Sequence, residues 1–139
     1  MRLFGEQGNP DTMSPLALAF VGDAVYSLYI REMLASDKNR PVGQLHKLSV
    51  EWVNAAAQAK GMKAILPLLT EAEQDVFRRG RNAHPGHTPK NQSACDYHYA
   101  TGFEALCGYL YLKEEVERLT SLLSEVIKSF GDETGADKA

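Results

Sequence analysis

"LALAFVGDAVYSLYI", residues 16–30, is apolar or small almost throughout, yet it carries a glycine and an acid side by side at its centre, Gly22 and Asp23. Ser14 and Pro15 precede it: a capping hydroxyl, then a ring whose missing N–H is harmless at the first helical position. The pattern predicts a helix from there to about Leu34. Leu16, Leu18, Phe20, Val21, Val25, Leu28, Tyr29 and Met33 cover most of its faces, which reads as a central helix wrapped by others. A second stretch, "YHYATGFEALCGYLYL" at 97–112, repeats the theme with Glu104 as its one acid. The fold class expected from these two helices is all-α.

Between and beyond these two, a helix from about Val42 to Gln58 carries Leu45, Leu48, Trp52 and Val53, and a short one spans Met62 to Leu66 before Pro67 stops it. Thr70, with Glu71 and Glu73 behind it, caps a helix through Phe77 and Arg79. The stretch "GRNAHPGHTPKNQSA" (80–94) has the Gly and Pro content of a loop. A helix over 96–112 follows. The last helix shows Leu119, Leu122, Leu123, Val126, Ile127 and Phe130 at helical spacing. Strand-like alternation is absent. Residues 1–13 read as a lead-in, 14–130 as one folded domain and 131–139 as a frayed tail.

With 139 residues the chain suits one domain and one core. Its 44% hydrophobic and 24% charged residues are the balance of a soluble globular protein. No run reaches the ~18 uninterrupted apolar residues of a membrane span, and no basic, apolar leader opens the chain. Cys95 and Cys107 lack a C-x-x-C spacing and are too few for a disulfide framework, so reduced thiols in a cytoplasmic protein are expected. A net charge of −3 argues against wholesale nucleic-acid binding but leaves room for a local basic face.

Burying an isolated carboxylate is costly enough that proteins pair it, protonate it or place it on a metal. Asp23 and Glu104 both sit mid-helix, where capping is unavailable. Ala19 and Ser27 lie one turn from Asp23, and Ala100, Thr101, Cys107 and Gly108 one turn from Glu104. Small residues on two helices permit close approach, which gives Gly22 a purpose in a helix interior, where it costs about 1 kcal/mol against Ala. Two acids brought together would repel unless a hard divalent cation such as Mg²⁺ lay between them. On spacing alone, a metal site, an ion pair and a protonated acid all remain open.

"LAFVGDAV" resembles the "LEFLGDAV" hallmark of ribonuclease III, and "FEALCGYLYL" resembles that family's second catalytic helix, "FEALIGAIYL". With "LHKLS", "RRGRNA" and "PKN" in the same order, the chain from Ser14 to Leu112 is similar to Mini-ribonuclease III, the short bacterial form without a double-stranded-RNA-binding domain. The resemblance implies that 14–130 is a ribonuclease III-like catalytic domain and that the chain homodimerises. It also implies Mg²⁺-dependent cleavage of double-stranded RNA, with Mn²⁺ able to substitute. Asp23 matches the catalytic aspartate and Glu104 the metal-binding glutamate. Two further family acids have no counterpart, since Ala19 and Thr101 stand at their positions. Precursor ribosomal RNA of the large subunit is the implied substrate, and a ribosomal protein that presents it is compatible with the resemblance.

Between Asp75 and Asp96 there is no acid, while Arg78, Arg79, Arg81 and Lys90 stand beside Asn82 and Asn91. These six are the candidate RNA-binding residues, because A-form RNA is held through backbone and 2′-OH contacts. A solvated loop with incidental charges is the plain alternative. His84 and His87 lack the further ligands a zinc site needs. The acidic runs at 71–75 and 114–117 read as a helix first turn and a solvated face. The rival function is a non-catalytic helical RNA-binding or assembly module of the same fold. A helical nucleotide pyrophosphohydrolase using Glu114, Glu115 and Glu117 is a further rival, and it leaves the basic stretch unexplained.

Overall fold

The computed structural model describes residues 1–5, 7–83 and 93–134. Among these residues six α-helices follow one another: α1 (Pro15–Asp37), α2 (Val42–Trp52), α3 (Ala55–Ile65), α4 (Glu71–Asn82), α5 (Ala94–Leu112) and α6 (Val116–Thr134). Among the described residues there is no strand, and the all-α expectation holds.

The caps follow the sequence. Ser14 accepts from the Ala17 N–H at the start of α1, and Ser93 accepts from the Asp96 N–H at the start of α5. Thr70 and Glu73 form a reciprocal capping box on α4, which satisfies two of the N–H groups a helix start leaves open. The expected helix from Val42 to Gln58 is instead broken at Val53–Asn54. Asn54 does both jobs there: its side-chain oxygen accepts from the Ala57 N–H to start α3, and its Nδ2 donates to the Val50 and Glu51 carbonyls that end α2. Residues expected in a frayed tail extend α6 as far as Thr134.

The centre is α5 rather than α1. Helices α1, α3 and α4 all pack on α5, and ten of its residues from Ala100 to Leu112 are buried. Tyr26, Ile30, Met62, Ile65, Phe103, Leu106, Leu110, Leu123 and Val126 are essentially inaccessible to solvent. Each such side chain is worth about 1.5–3 kcal/mol of burial. Tyr26 packs edge-on to Phe103 with ring centroids 5.0 Å apart, and its hydroxyl donates to the Trp52 carbonyl at 2.9 Å. This ties α1, α2 and α5 at one point.

Helix α1 is wrapped on three sides only. Leu16, Phe20, Ala24 and Leu28, spaced by four, form an exposed stripe, and Phe20 is 83% accessible. Leu45, Leu48 and Trp52 are half-buried and pack on the core of the same chain.

Candidate active site

The two acids meet where α1 crosses α5. A Cβ built on Gly22 would fall inside the Glu104 carbonyl oxygen, 2.6 Å from the Glu104 carbonyl carbon and 2.7 Å from the Gly108 nitrogen. A Cβ on Gly108 would likewise strike the Leu18 carbonyl oxygen. Only hydrogen fits at either position, so the backbones touch. Asp23 follows Gly22 in sequence, and its carboxylate comes within hydrogen-bonding reach of the Glu104 carboxylate.

Asp23 is solvent-exposed and Glu104 is half-buried. The sequence had suggested that both were buried. Asp23 escapes burial because it shares the uncovered face of α1 with Leu16 and Phe20. For Glu104, burial and then the negative charge of Asp23 push the carboxyl up to about 7, against the pull of a hydrogen bond from Gln58. Gln58 Nε2 donates to Glu104 Oε2 at 3.0 Å. Among the described residues neither acid is paired with Lys, Arg or His.

This donor set fits one hard cation. Two close carboxylates with like-charge repulsion and an open side toward water suit Mg²⁺, which takes one or two carboxylates and keeps several waters. Among the described residues no three Asp, Glu, His or Cys side chains gather at one point. Thr101 is buried at the turn before Glu104 and donates to the Tyr97 carbonyl at 3.0 Å, and Ala19 lies in the core beside Leu18. Neither adds an oxygen donor of carboxylate strength.

Arg78, Arg79, Arg81 and Asn82 fall on the last turn and a half of α4. Arg78 and Arg79 are exposed, and Arg78 is held by Asp75 at 2.8 Å. Arg81 lies over the Phe77 ring and donates from Nε to the Asn82 side chain at 3.2 Å. Gly80, between them, packs on Thr101, Gly102 and Ala105 of α5, so the arginines project from the helix that braces the helix of Glu104. Lys90, Asn91, His84 and His87 lie outside the described residues.

Gln58 is a site residue that sequence reasoning missed. Its signal was present as one polar residue in "AAAQA", but placing it at the end of a longer helix hid which way it faced. The run at 71–75 is the first turn of α4, and it also ties α4 to α6. Glu73 is buried and bonds Arg118 at 2.8 and 2.9 Å, and that partner holds its carboxyl below the usual range.

Residues 16–115 match the Ribonuclease III domain. The chain is 56% identical over 112 residues to Mini-ribonuclease 3 of a Thermoanaerobacter species, covering 81% of this chain and 79% of that one. It is 47% identical over 115 residues to Mini-ribonuclease 3 of Symbiobacterium thermophilum, covering 83% and 88%. A crystal structure of a Fusobacterium nucleatum protein superposes with a TM-score of 0.77 at 31% identity, covering 84% of this chain and 93% of the other.

Proposed function

The chain belongs to the ribonuclease III family, in its Mini-ribonuclease 3 branch, and on that basis we propose that this endoribonuclease cuts double-stranded RNA at Asp23 and Glu104 with Mg²⁺. The observation that carries the assignment is the approach of these two carboxylates across the Gly22–Gly108 crossing, with no cationic side chain between them among the described residues. Asp23 and Glu104 would hold the Mg²⁺, which would supply activation of a water and offset charge on the phosphodiester, and Mn²⁺ would serve in its place.

The chain's own groups do the rest. Asp23, on the open face, stands nearest the solvent from which the RNA arrives, while Glu104 holds its oxygens at a depth fixed by α5. Arg79 and Arg81, with Lys90 and Asn91 beyond them in sequence, take the phosphates, and Arg78 and Asn82 flank them. Such contacts orient a duplex without reading its sequence. One chain brings one pair of acids, so cutting two strands calls for two copies. The exposed stripe of Leu16, Phe20 and Leu28 beside Asp23 gives a second copy a surface on which to seat. Structured precursor ribosomal RNA in the cytoplasm is the proposed substrate.

A binding module without catalysis is the competing reading. It has no use for two unpaired carboxylates beside RNA phosphates, where they would only repel. Incubating a short RNA duplex with the chain, with and without Mg²⁺, separates the two. Cleavage with metal, lost in Asp23→Asn while the melting temperature in EDTA stays level or rises slightly, supports the enzyme. Tight duplex binding with no cleavage at any Mg²⁺ or Mn²⁺ concentration would refute it.

A further inference from the structure

Four polar side chains are buried among the described residues: Ser49, Gln58, Glu73 and Thr101. Three have structural work. Ser49 donates to the His46 carbonyl, Thr101 to the Tyr97 carbonyl, and Glu73 joins Thr70 and Arg118. Gln58 is different, because it donates to a carboxylate of the site, on another helix. It is 4% accessible, and α3 is anchored around it by buried Ala55, Ala59 and Met62 and by the Asn54 cap. The amide is therefore delivered to Glu104 by a rigid element.

We infer that Gln58 is a positioning residue: its N–H on Oε2 fixes the Glu104 carboxylate toward Asp23, and its neutrality keeps the site at two carboxylates. The inference rests on the reading of Asp23 and Glu104 as a cation site. A glutamate side chain has three torsions to immobilise, and Glu104 has no cationic side chain to do it among the described residues. One donor on Oε2 does not exhaust the acceptor capacity of a carboxylate, so a hydrogen bond from Gln58 orients the group and still leaves it able to bind a cation. A partner that orients a metal-binding group in this way typically changes metal affinity or activity by roughly 10–100-fold when removed. An acid at position 58 would instead place a third negative charge 3.0 Å from Glu104.

The test uses the full chain, with Mn²⁺ alone as the probe. Melting is followed in EDTA and across a Mn²⁺ series without RNA, and cleavage of a short RNA duplex is followed separately. Gln58→Leu keeps the bulk and loses the donor. Its Mn²⁺ midpoint should rise roughly tenfold and kcat should fall by a similar factor, with KM for the duplex within about twofold of the parent. Gln58→Glu keeps the shape and adds charge. It should melt lower than the parent in EDTA and gain more from Mn²⁺ than the parent does. A Gln58→Leu chain with the parent's Mn²⁺ midpoint and kcat would show that Gln58 only fills space. If Gln58→Leu does not fold, Gln58→Glu decides, and an Mn²⁺ gain equal to the parent's overturns the inference. A parent chain that neither shifts with Mn²⁺ nor cleaves would bring down the cation site itself, whereas a responsive parent whose variants respond to Mn²⁺ just as it does brings down only the role of Gln58.

Discussion

Gly22→Ala tests the architecture of the site without touching an acid. The new Cβ would sit 2.6 Å from the Glu104 carbonyl carbon and 2.7 Å from the Gly108 nitrogen, where ordinary contact begins at 3.4 Å. Helices α1 and α5 must therefore part by about 0.8 Å, and by more to clear the carbonyl oxygen. What has to move is backbone on both sides, so no flexible side chain can swing away. Overpacking a core costs about 1–3 kcal/mol when side chains can adjust. Here the cost should exceed that range, and the ~1 kcal/mol that Ala gains over Gly in a helix offsets only part of it. A net loss of about 3 kcal/mol corresponds to roughly 10 °C in melting temperature for a chain of this size. Gly43→Ala is the control, since nothing lies within 4 Å of a Cβ there, and it should be neutral or stabilising by up to about 1 kcal/mol. Thermal and urea unfolding in EDTA measure both. If Gly22→Ala melts within 2 °C or so of the parent, the helices are not in backbone contact and the close crossing that unites the two acids is wrong.

The remaining expectations concern charge and association. Without metal, the Glu104 carboxyl titrates at about 7 folded and near 4.5 unfolded, so between those values the folded chain holds the extra proton. Stability should then fall as pH rises from about 5 to 8, by about 2–4 kcal/mol at 1.36 kcal/mol per pH unit, and Glu104→Gln should flatten that slope in urea titrations. An unchanged slope would refute the assignment. Arg79→Ala with Arg81→Ala, in an Asp23→Asn background, should lower the salt slope of duplex binding by about one unit for each phosphate no longer held; an unchanged slope and affinity would make the arginines bystanders. Phe20→Glu should turn a dimer into a monomer by light scattering at micromolar concentration while leaving the melting profile of the single chain intact. A parent chain that is already monomeric would contradict the two-copy arrangement.

The legible parts of this fold are those governed by local chemistry. Ser14–Pro15 and Thr70 mark their helices because a cap is satisfied within three residues of itself. Gly22 and Gly108 suggest a close crossing because glycine in a helix interior needs a reason. The illegible parts depend on what lies across space. Asn54 breaks a helix between two stretches that each look helical, and only its contacts to both show why. Which face of α1 stays uncovered cannot be read from residues that are apolar all round, and so the sequence alone puts Asp23 inside. Gln58 faces the site only because α3 starts at Ala55, which sets the phase of every residue after it.

Two neighbouring positions, 22 and 23, therefore carry opposite demands. The hydrogen of Gly22 lets the backbones meet, and that meeting forces the carboxylates of Asp23 and Glu104 together. Burial of Glu104, and with it the repulsion from Asp23, is a cost to the metal-free fold, seen in the raised Glu104 carboxyl, and the repulsion would turn into affinity on binding of the proposed divalent cation. Relieving the repulsion by neutralising an acid should leave the fold at least as stable and remove catalysis. Relieving it by separating the helices should remove both, because the same crossing buries the Tyr26–Phe103 pair one turn away. The site is thus tied to the core through its backbone, and its charge alone can be changed without disturbing that core.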